Sequence, residues 1–123
     1  MDIVILKIDN KVDSPNAEFI HLISKINGSL KDYAVFDQTY DSEGAVSNKH
    51  VHFFKLPVLN IISGDEIVIY TGENINKRAI KEPINNGKNT KYRYFLKFGS
   101  KIWNKDHDKA SVVKIHFEYT TTK

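Results

Sequence analysis

The chain has 123 residues, a length typical of one domain with a single hydrophobic core. Its 41% hydrophobic and 27% charged residues are ordinary for a globular protein, and no apolar run approaches the roughly 20 residues needed to cross a bilayer. The formal net charge is +3, and the absence of Cys excludes disulfides, thiolate nucleophiles and Cys-based metal sites.

The N-terminal segment MDIVILKIDN has a short apolar stretch, Ile3 to Leu6, which follows Asp2 rather than a basic residue. A secretory signal needs a basic start and a longer apolar core, so this segment is predicted to be a strand. The missing signal pattern and the absence of Cys both favour a cytoplasmic location.

Strand patterns continue along the chain, because alternating apolar residues and β-branched residues recur between turn formers. The predicted strands are residues 3–8, 17–26, 31–40, 50–57, 66–72, 92–99 and 111–119. Residues 17–26 could also form an amphipathic helix, but their β-branched content and the Asn27–Gly28 break favour a strand. With a tight turn at Ser63–Asp65 and no long helix, the pattern predicts one all-β domain over residues 1–123, an antiparallel β-sandwich of about seven to nine strands.

Residues 73–91 interrupt this pattern because they are polar, basic and punctuated by Pro83 and Gly87. They are predicted to form a long loop, and a short helix over Lys77 to Ile80 is an alternative within it. A structureless loop of this length is uncommon in a small domain and often functional, so the segment is a candidate site.

Four motifs occur in a recognisable order along the chain. They are AEFIHLIS at 17–24, LKDYAVFD at 30–37, FFKLPVLNIISGDEIVIYTG at 53–72 and IWNKDHDKASVVK at 102–114. Together they resemble the lamin-tail domain, of the type found in bacteria, although Tyr33 stands where that family usually has Trp and His107 is inserted in its Gly-Asp region. The resemblance implies an immunoglobulin-like β-sandwich that serves as a docking platform in lamins and as an accessory module in bacteria.

The segment WNKDHDK contains the only Trp of the chain, Trp103, which is predicted to close one end of the sandwich. The turn formers that follow it are Asn104, Asp106 and Asp108. Their spacing is that of the first ligands of a calcium loop, but the sixth and twelfth positions hold Lys109 and Ile115 instead of Gly and Glu. The segment is therefore interpreted as a structural hairpin without a metal.

His50 and His52 lie two apart on a predicted strand and so share a face, which is a starting point for a zinc site. A third ligand would have to be His21, His107 or His116, and no spacing selects one. No nucleophile elbow, phosphate loop or dinucleotide motif is present. The sequence therefore predicts a protein without a metal, a cofactor or an enzymatic activity.

Positive charge is concentrated between residues 77 and 105, which hold nine Lys or Arg and a single acid, Glu82. The candidate anion- or nucleic-acid-binding residues are Lys77, Arg78, Lys81, Lys88, Lys91 and Arg93. Basic groups neutralise phosphates, and the neighbouring Tyr92, Tyr94 and Phe95 could stack on bases. Alternatively, Tyr92 and Tyr94 share a strand face and pack on the core.

These patterns predict a non-enzymatic binding or scaffold module whose partner is another protein, contacted through exposed strand edges or the 77–91 segment. The alternative is a module that binds nucleic acid or another anionic polymer through residues 77–105. No pattern in the sequence indicates the oligomeric state.

Overall fold

The computed structural model describes residues 2–9, 18–40, 46–47, 53–71, 78–96 and 108–115. Its strands are β1 (Ile3–Asp9), β2 (Phe19–Ser24), β3 (Gly28–Ser29), β4 (Tyr33–Tyr40), β5 (Val46–Ser47), β6 (Phe53–Lys55), β7 (Asn60–Ile61), β8 (Glu66–Tyr70), β9 (Ile80–Ile84), β10 (Asn89–Phe95) and β11 (Asp108–Lys114). The one helical element of these ranges is a 3-10 turn, Asn85–Gly87. Within them, no helix has the length and apolar character needed to cross a membrane.

Two main sheets form the domain. The five-stranded sheet has the order β1-β2-β8-β10-β9, and in the second sheet β4 pairs with β11, β5 and β6. A short β3–β7 ladder lies apart from both. The predicted all-β sandwich is thereby confirmed, and residues 17–26 contain a strand rather than a helix.

The hydrophobic core takes residues from both main sheets. Ile20, Leu22, Ile67 and Ile69 contribute from the five-stranded sheet, and Tyr33, Val35 and Phe54 from the other; all are buried. In β2 the buried positions alternate with half-buried ones, as expected for a strand with one face on the core. Packing between the inner faces of two sheets is what makes the fold a sandwich.

The expectation of a purely antiparallel arrangement is wrong at one pair, because β8 and β10 run parallel. After β8 the chain returns in the opposite direction as β9 at the edge of the sheet. The Asn85–Gly87 turn then sends β10 back between β9 and β8. Because β9 runs opposite to β8 and β10 runs opposite to β9, β10 lies parallel to β8.

The long loop predicted over residues 73–91 is also corrected, because residues 80–91 belong to the β9–β10 hairpin. The tip residues Asn85, Asn86 and Gly87 all have positive φ, a backbone conformation that Asn and Gly tolerate best. Pro83 is accommodated because β9 is an edge strand, where a missing N–H is tolerated. The short helix considered over Lys77 to Ile80 is not formed at residues 78–80, since Ile80 begins β9.

Asp65 connects the turn before β8 to the β9–β10 hairpin. Its buried carboxylate accepts hydrogen bonds from the backbone N–H of Ile62 (2.9 Å) and Thr90 (3.0 Å) and from Nδ2 of Asn89 (3.1 Å). Gly64 has φ +96, and a Cβ there would stand 2.8 Å from the Asn89 side chain, so the predicted turn at residues 63–65 requires Gly. The parallel β8–β10 pair is thus anchored at this end by one carboxylate.

Tyr33 is buried in the core at the start of β4, and its hydroxyl donates a hydrogen bond to Oδ2 of Asp2. Burial, together with this hydrogen bond and the negative charges of Asp2 and Asp32, raises the pKa of Tyr33 from 10.0 to about 12. The folded protein therefore keeps this proton at a pH where the unfolded chain loses it.

We therefore expect the free energy of unfolding to fall between pH 10 and pH 12, and we expect ionisation of Tyr33 to account for part of this fall. Below pH 10 both states are protonated and this contribution is complete; as the pH rises towards 12 it is lost. Denaturant unfolding at several pH values should give a steeper decline for the wild type than for Tyr33→Phe. Equal slopes for the two proteins would contradict this assignment, whatever their absolute stabilities.

Candidate functional site: the outer face of the five-stranded sheet

Strand β10 places Tyr92 and Tyr94 on one face of the sheet and Lys91, Arg93 and Phe95 on the other. Tyr92 and Tyr94 pack against the core, in agreement with the structural alternative for these residues. Lys91 and Arg93 alternate with them along the strand and therefore lie on the opposite side, which we call the outer face. The two tyrosines thus cannot stack on bases beside these cations.

Each cation of the outer face in the described ranges has a carboxylate nearby. Lys7 lies 3.6 Å from Asp9, and Lys91 Nζ lies 3.6 Å from Oε1 of Glu66. Nε2 of His21 is 2.6 Å from the same Glu66 oxygen. Lys91 is therefore already partnered by a residue of β8 and is not an isolated positive charge.

Arg93 has the most contacts in this set. Its Nε and Nη2 donate to Oε1 of Glu82 at 3.0 and 2.7 Å, and Nη1 donates to the Tyr70 hydroxyl at 2.7 Å. Burial alone would lower the pKa of Arg93, but the hydrogen bonds and charge interactions with Glu82 and Tyr70 raise it above its ordinary value. Arg93 is thus a fixed, charged residue whose guanidinium is oriented by two neighbouring strands.

An aromatic row crosses the same face from β2 through β8 to β10. The rings of Tyr70 and Phe95 are stacked, with centroids 4.8 Å apart, and Phe19 meets Tyr70 edge-on at 5.7 Å. Lys7 Nζ lies 5.8 Å from the centroid of the Phe19 ring. Such aromatic pairs add stability beyond the area that they bury, and here they place flat apolar rings beside Arg93.

The sequence analysis did not single out Phe19, Glu66 or Tyr70 as members of a site. One signal was available, because Glu66 and Tyr70 are four apart on a predicted strand and therefore lie on the same side of it. Their partners on β10 could not be identified, because the parallel register of β8 and β10 depends on the unrecognised β9 strand.

Three other predicted basic residues lie at the edge of the sheet or at the hairpin turn. Arg78, Lys81 and Lys88 are exposed. Lys81 Nζ lies 5.8 Å from the Tyr92 ring, and in the described part of the chain none of the three has a carboxylate partner. These residues are the remaining candidates for an anion contact.

The two edges of the five-stranded sheet are poorly suited to strand addition. In β9, Pro83 removes an N–H donor and Lys81 places a charge beside the edge. In β1, the register shifts between Ile5 and Lys7, where a bulge leaves Leu6 half exposed. The face of the sheet is therefore a better candidate for a contact surface than its edges.

The hairpin predicted from the strands on either side of WNKDHDK is wrong, because β10 lies between β8 and β9 whereas β11 pairs with β4 in the second sheet. Several predicted residues lie outside the described ranges, and their own predictions stay open. These are Lys77, Trp103, Asn104, Asp106 and the histidines at 50, 52, 107 and 116. Asp108 is the first residue of β11, opposite Thr39 of β4. Across the ranges that are described, no three His, Asp or Glu side chains converge in a way that could hold a metal ion.

Comparison of the chain with protein-family models, curated proteins and solved structures gives no match. The resemblance to the lamin-tail domain therefore rests on the order of the four motifs alone.

Proposed function

We propose that this chain is a non-enzymatic binding module and that its partner is a protein that packs on the outer face. The observation that carries the proposal is the charge balance of that face: Lys7, Lys91 and Arg93 lie within 3.6 Å of Asp9, Glu66 and Glu82 respectively. A phosphate polymer gains affinity by neutralising unpaired cations, whereas this face offers it pairs that must first be broken.

The residue types of the outer face support a protein partner. Tyr, Phe and Arg are enriched in protein interfaces, and Tyr and Arg often dominate the binding energy. Tyr70 and Arg93 are hydrogen-bonded to each other, and Phe95 stacks on the tyrosine ring. Side chains held in this way lose little conformational freedom when a partner covers them.

The motif order of the lamin-tail family supports the same role. We propose that the chain is a lamin-tail-like domain of the type found in bacteria, with an immunoglobulin-like sandwich that presents a docking surface. A fold of this kind hosts several roles, so the argument for a protein partner depends on the outer face and not on the resemblance.

The proposal is tested with two matched surface variants. Ile80 is 45% exposed and pairs with Arg93 at the rim of the outer face, whereas Val58 is 80% exposed in the connection between β6 and β7. Proteins retained by immobilised wild type should also be retained by Val58→Asp but lost from Ile80→Asp, because a buried carboxylate opposes an apolar contact. If Ile80→Asp retains the same proteins as the wild type, or if only Val58→Asp loses them, the partner does not contact the rim of the outer face at Ile80.

A second candidate function is the binding of nucleic acid or another anionic polymer. It is favoured by Arg78, Lys81 and Lys88, which are exposed on or next to the β9–β10 hairpin without a carboxylate partner in the described ranges. Three such cations give a salt-dependent contact but no base-specific one.

A further inference from the structure

Two Asn-Gly dipeptides occur in the chain, Asn27–Gly28 and Asn86–Gly87. In this dipeptide the backbone nitrogen of Gly can attack the side-chain amide of the preceding Asn, because Gly has no Cβ to obstruct the approach. We propose that Asn86, at the tip of the β9–β10 hairpin, is a site of spontaneous deamidation in the folded protein, and that Asn27 is protected.

The surroundings of Asn86 leave its side chain available. The residue is exposed, with φ 58 and ψ 35, and it makes no side-chain hydrogen bond to the described residues. A Cβ placed on Gly87 would meet nothing within 4 Å, so there is room around the dipeptide for a ring to form. No residue of the turn is buried.

Asn27 is exposed as well, but its side chain is held. Its Oδ1 accepts a hydrogen bond of 2.8 Å from the backbone N–H of Ser63, on the turn before β8. The attack on Cγ requires this amide to rotate, and therefore requires the hydrogen bond to break. Because such a bond contributes about 0.5–1.5 kcal/mol, it should slow the reaction by roughly two- to tenfold.

Asn85 provides an internal comparison at the same hairpin tip. Its Nδ2 donates to Oδ1 of Asn89 at 3.0 Å, and the residue that follows it is Asn86, which has a Cβ. Both features disfavour ring formation. The reaction should therefore select one of two adjacent, exposed asparagines.

The reaction is balanced without an oxidant or a cofactor. The Gly87 nitrogen bonds to Cγ of Asn86 and loses its proton, the bond from Cγ to Nδ2 breaks, and ammonia leaves. The resulting succinimide adds one water at either carbonyl and opens to aspartate or isoaspartate. Ring closure requires ψ and χ1 of Asn86 to bring the Gly87 nitrogen up to Cγ, and because Asn86 is held at ψ 35 in the turn, the rate follows local opening of the hairpin tip.

The product changes the hairpin in two ways. A new carboxylate appears two residues before Lys88, one of the exposed cations that remain candidates for an anion contact. Isoaspartate also adds a methylene group to the backbone of a turn whose residues need positive φ. Ageing of the protein should therefore lower its net positive charge and weaken the β9–β10 turn.

The test is incubation of the full chain at neutral and mildly alkaline pH, both native and in denaturant, followed by peptide mapping with mass spectrometry. The rate in denaturant supplies the intrinsic reactivity of each dipeptide. Relative to that rate, Asn27 should be protected in the native protein roughly two- to tenfold more than Asn86. Asn86→Gln, whose longer side chain would have to close a six-membered ring, should remove the acidic species while leaving a residue with a Cβ after Asn85.

Equal protection of the two dipeptides, or faster native deamidation at Asn27, would overturn the proposal. The proposal would also be overturned if both sites react in denaturant and neither reacts in the native protein, because the hairpin tip would then open too rarely for the ring to form.

Discussion

Replacement of Asp65 by Ala is expected to lower the free energy of unfolding by about 3–5 kcal/mol. The carboxylate is 3% exposed and accepts three hydrogen bonds, two from backbone N–H groups of Ile62 and Thr90 and one from Asn89. Its removal leaves three donors without their acceptor at a half-buried site. The loss should appear as a lower midpoint in denaturant unfolding with an unchanged slope.

Asp65→Asn separates the hydrogen bonds from simple loss of volume. The amide has nearly the shape of the carboxylate but directs an NH2 group at donors, so part of the loss should persist. Lys88→Ala, at the exposed hairpin turn, is the surface control and should change stability by no more than about 0.5 kcal/mol. If Asp65→Ala were no more costly than this control, Asp65 would not be the anchor of the β8–β10 end.

Leu22→Ala is expected to cost about 2–5 kcal/mol, because Leu22 is completely buried and its truncation leaves a cavity between the sheets. Leu22 belongs to the core cluster together with Ile67, its neighbour on β8. The measurement is equilibrium unfolding in denaturant, monitored by the intrinsic fluorescence of the protein.

Ile23→Ala is the matched comparison because the two residues are adjacent on β2 and have similar volumes. Ile23 is only half-buried and faces the opposite side of the sheet, so its truncation should cost clearly less. A one-residue error in the register of β2 would exchange the two faces, and Ile23→Ala would then be the more destabilising variant.

The strands that the sequence predicted correctly are those whose information is local. In β2 and β4 the turn residues stand beside alternating apolar residues, and in β8 an apolar run follows a tight turn. Strand β9 and its turn into β10 were missed because Pro83 and the basic residues of β9 are features of loops. The strongest hairpin signal in this segment is Asn86–Gly87, because Asn-Gly is common in loops and is also the most favoured tip of a hairpin.

The candidate site was harder to predict because its contacts join distant parts of the chain. Lys91 and Arg93 were predicted as candidates for anion binding, whereas the carboxylate of Glu66 reaches Lys91 only through the parallel pairing of β8 with β10. Glu82 was visible as the one acid of the basic segment, and the β9–β10 register places it opposite Lys91 and within reach of Arg93. Charge counted along the sequence therefore overstated the positive charge of the outer face, where Lys91 and Arg93 are paired with carboxylates.

Titration of labelled single- and double-stranded DNA with the purified protein, at low and high salt, tests the central claim most directly. The wild type is compared with a variant in which Arg78, Lys81 and Lys88 are all replaced by Glu. Because the cations of the outer face are paired with carboxylates, and because the three exposed cations at its rim are too few for tight phosphate binding, we expect no saturable binding and the same result for both proteins. Micromolar binding that collapses with salt, with a logarithmic slope of roughly 2 to 3 for three phosphate contacts, and that disappears in the variant would contradict the claim and establish the anionic-polymer function instead.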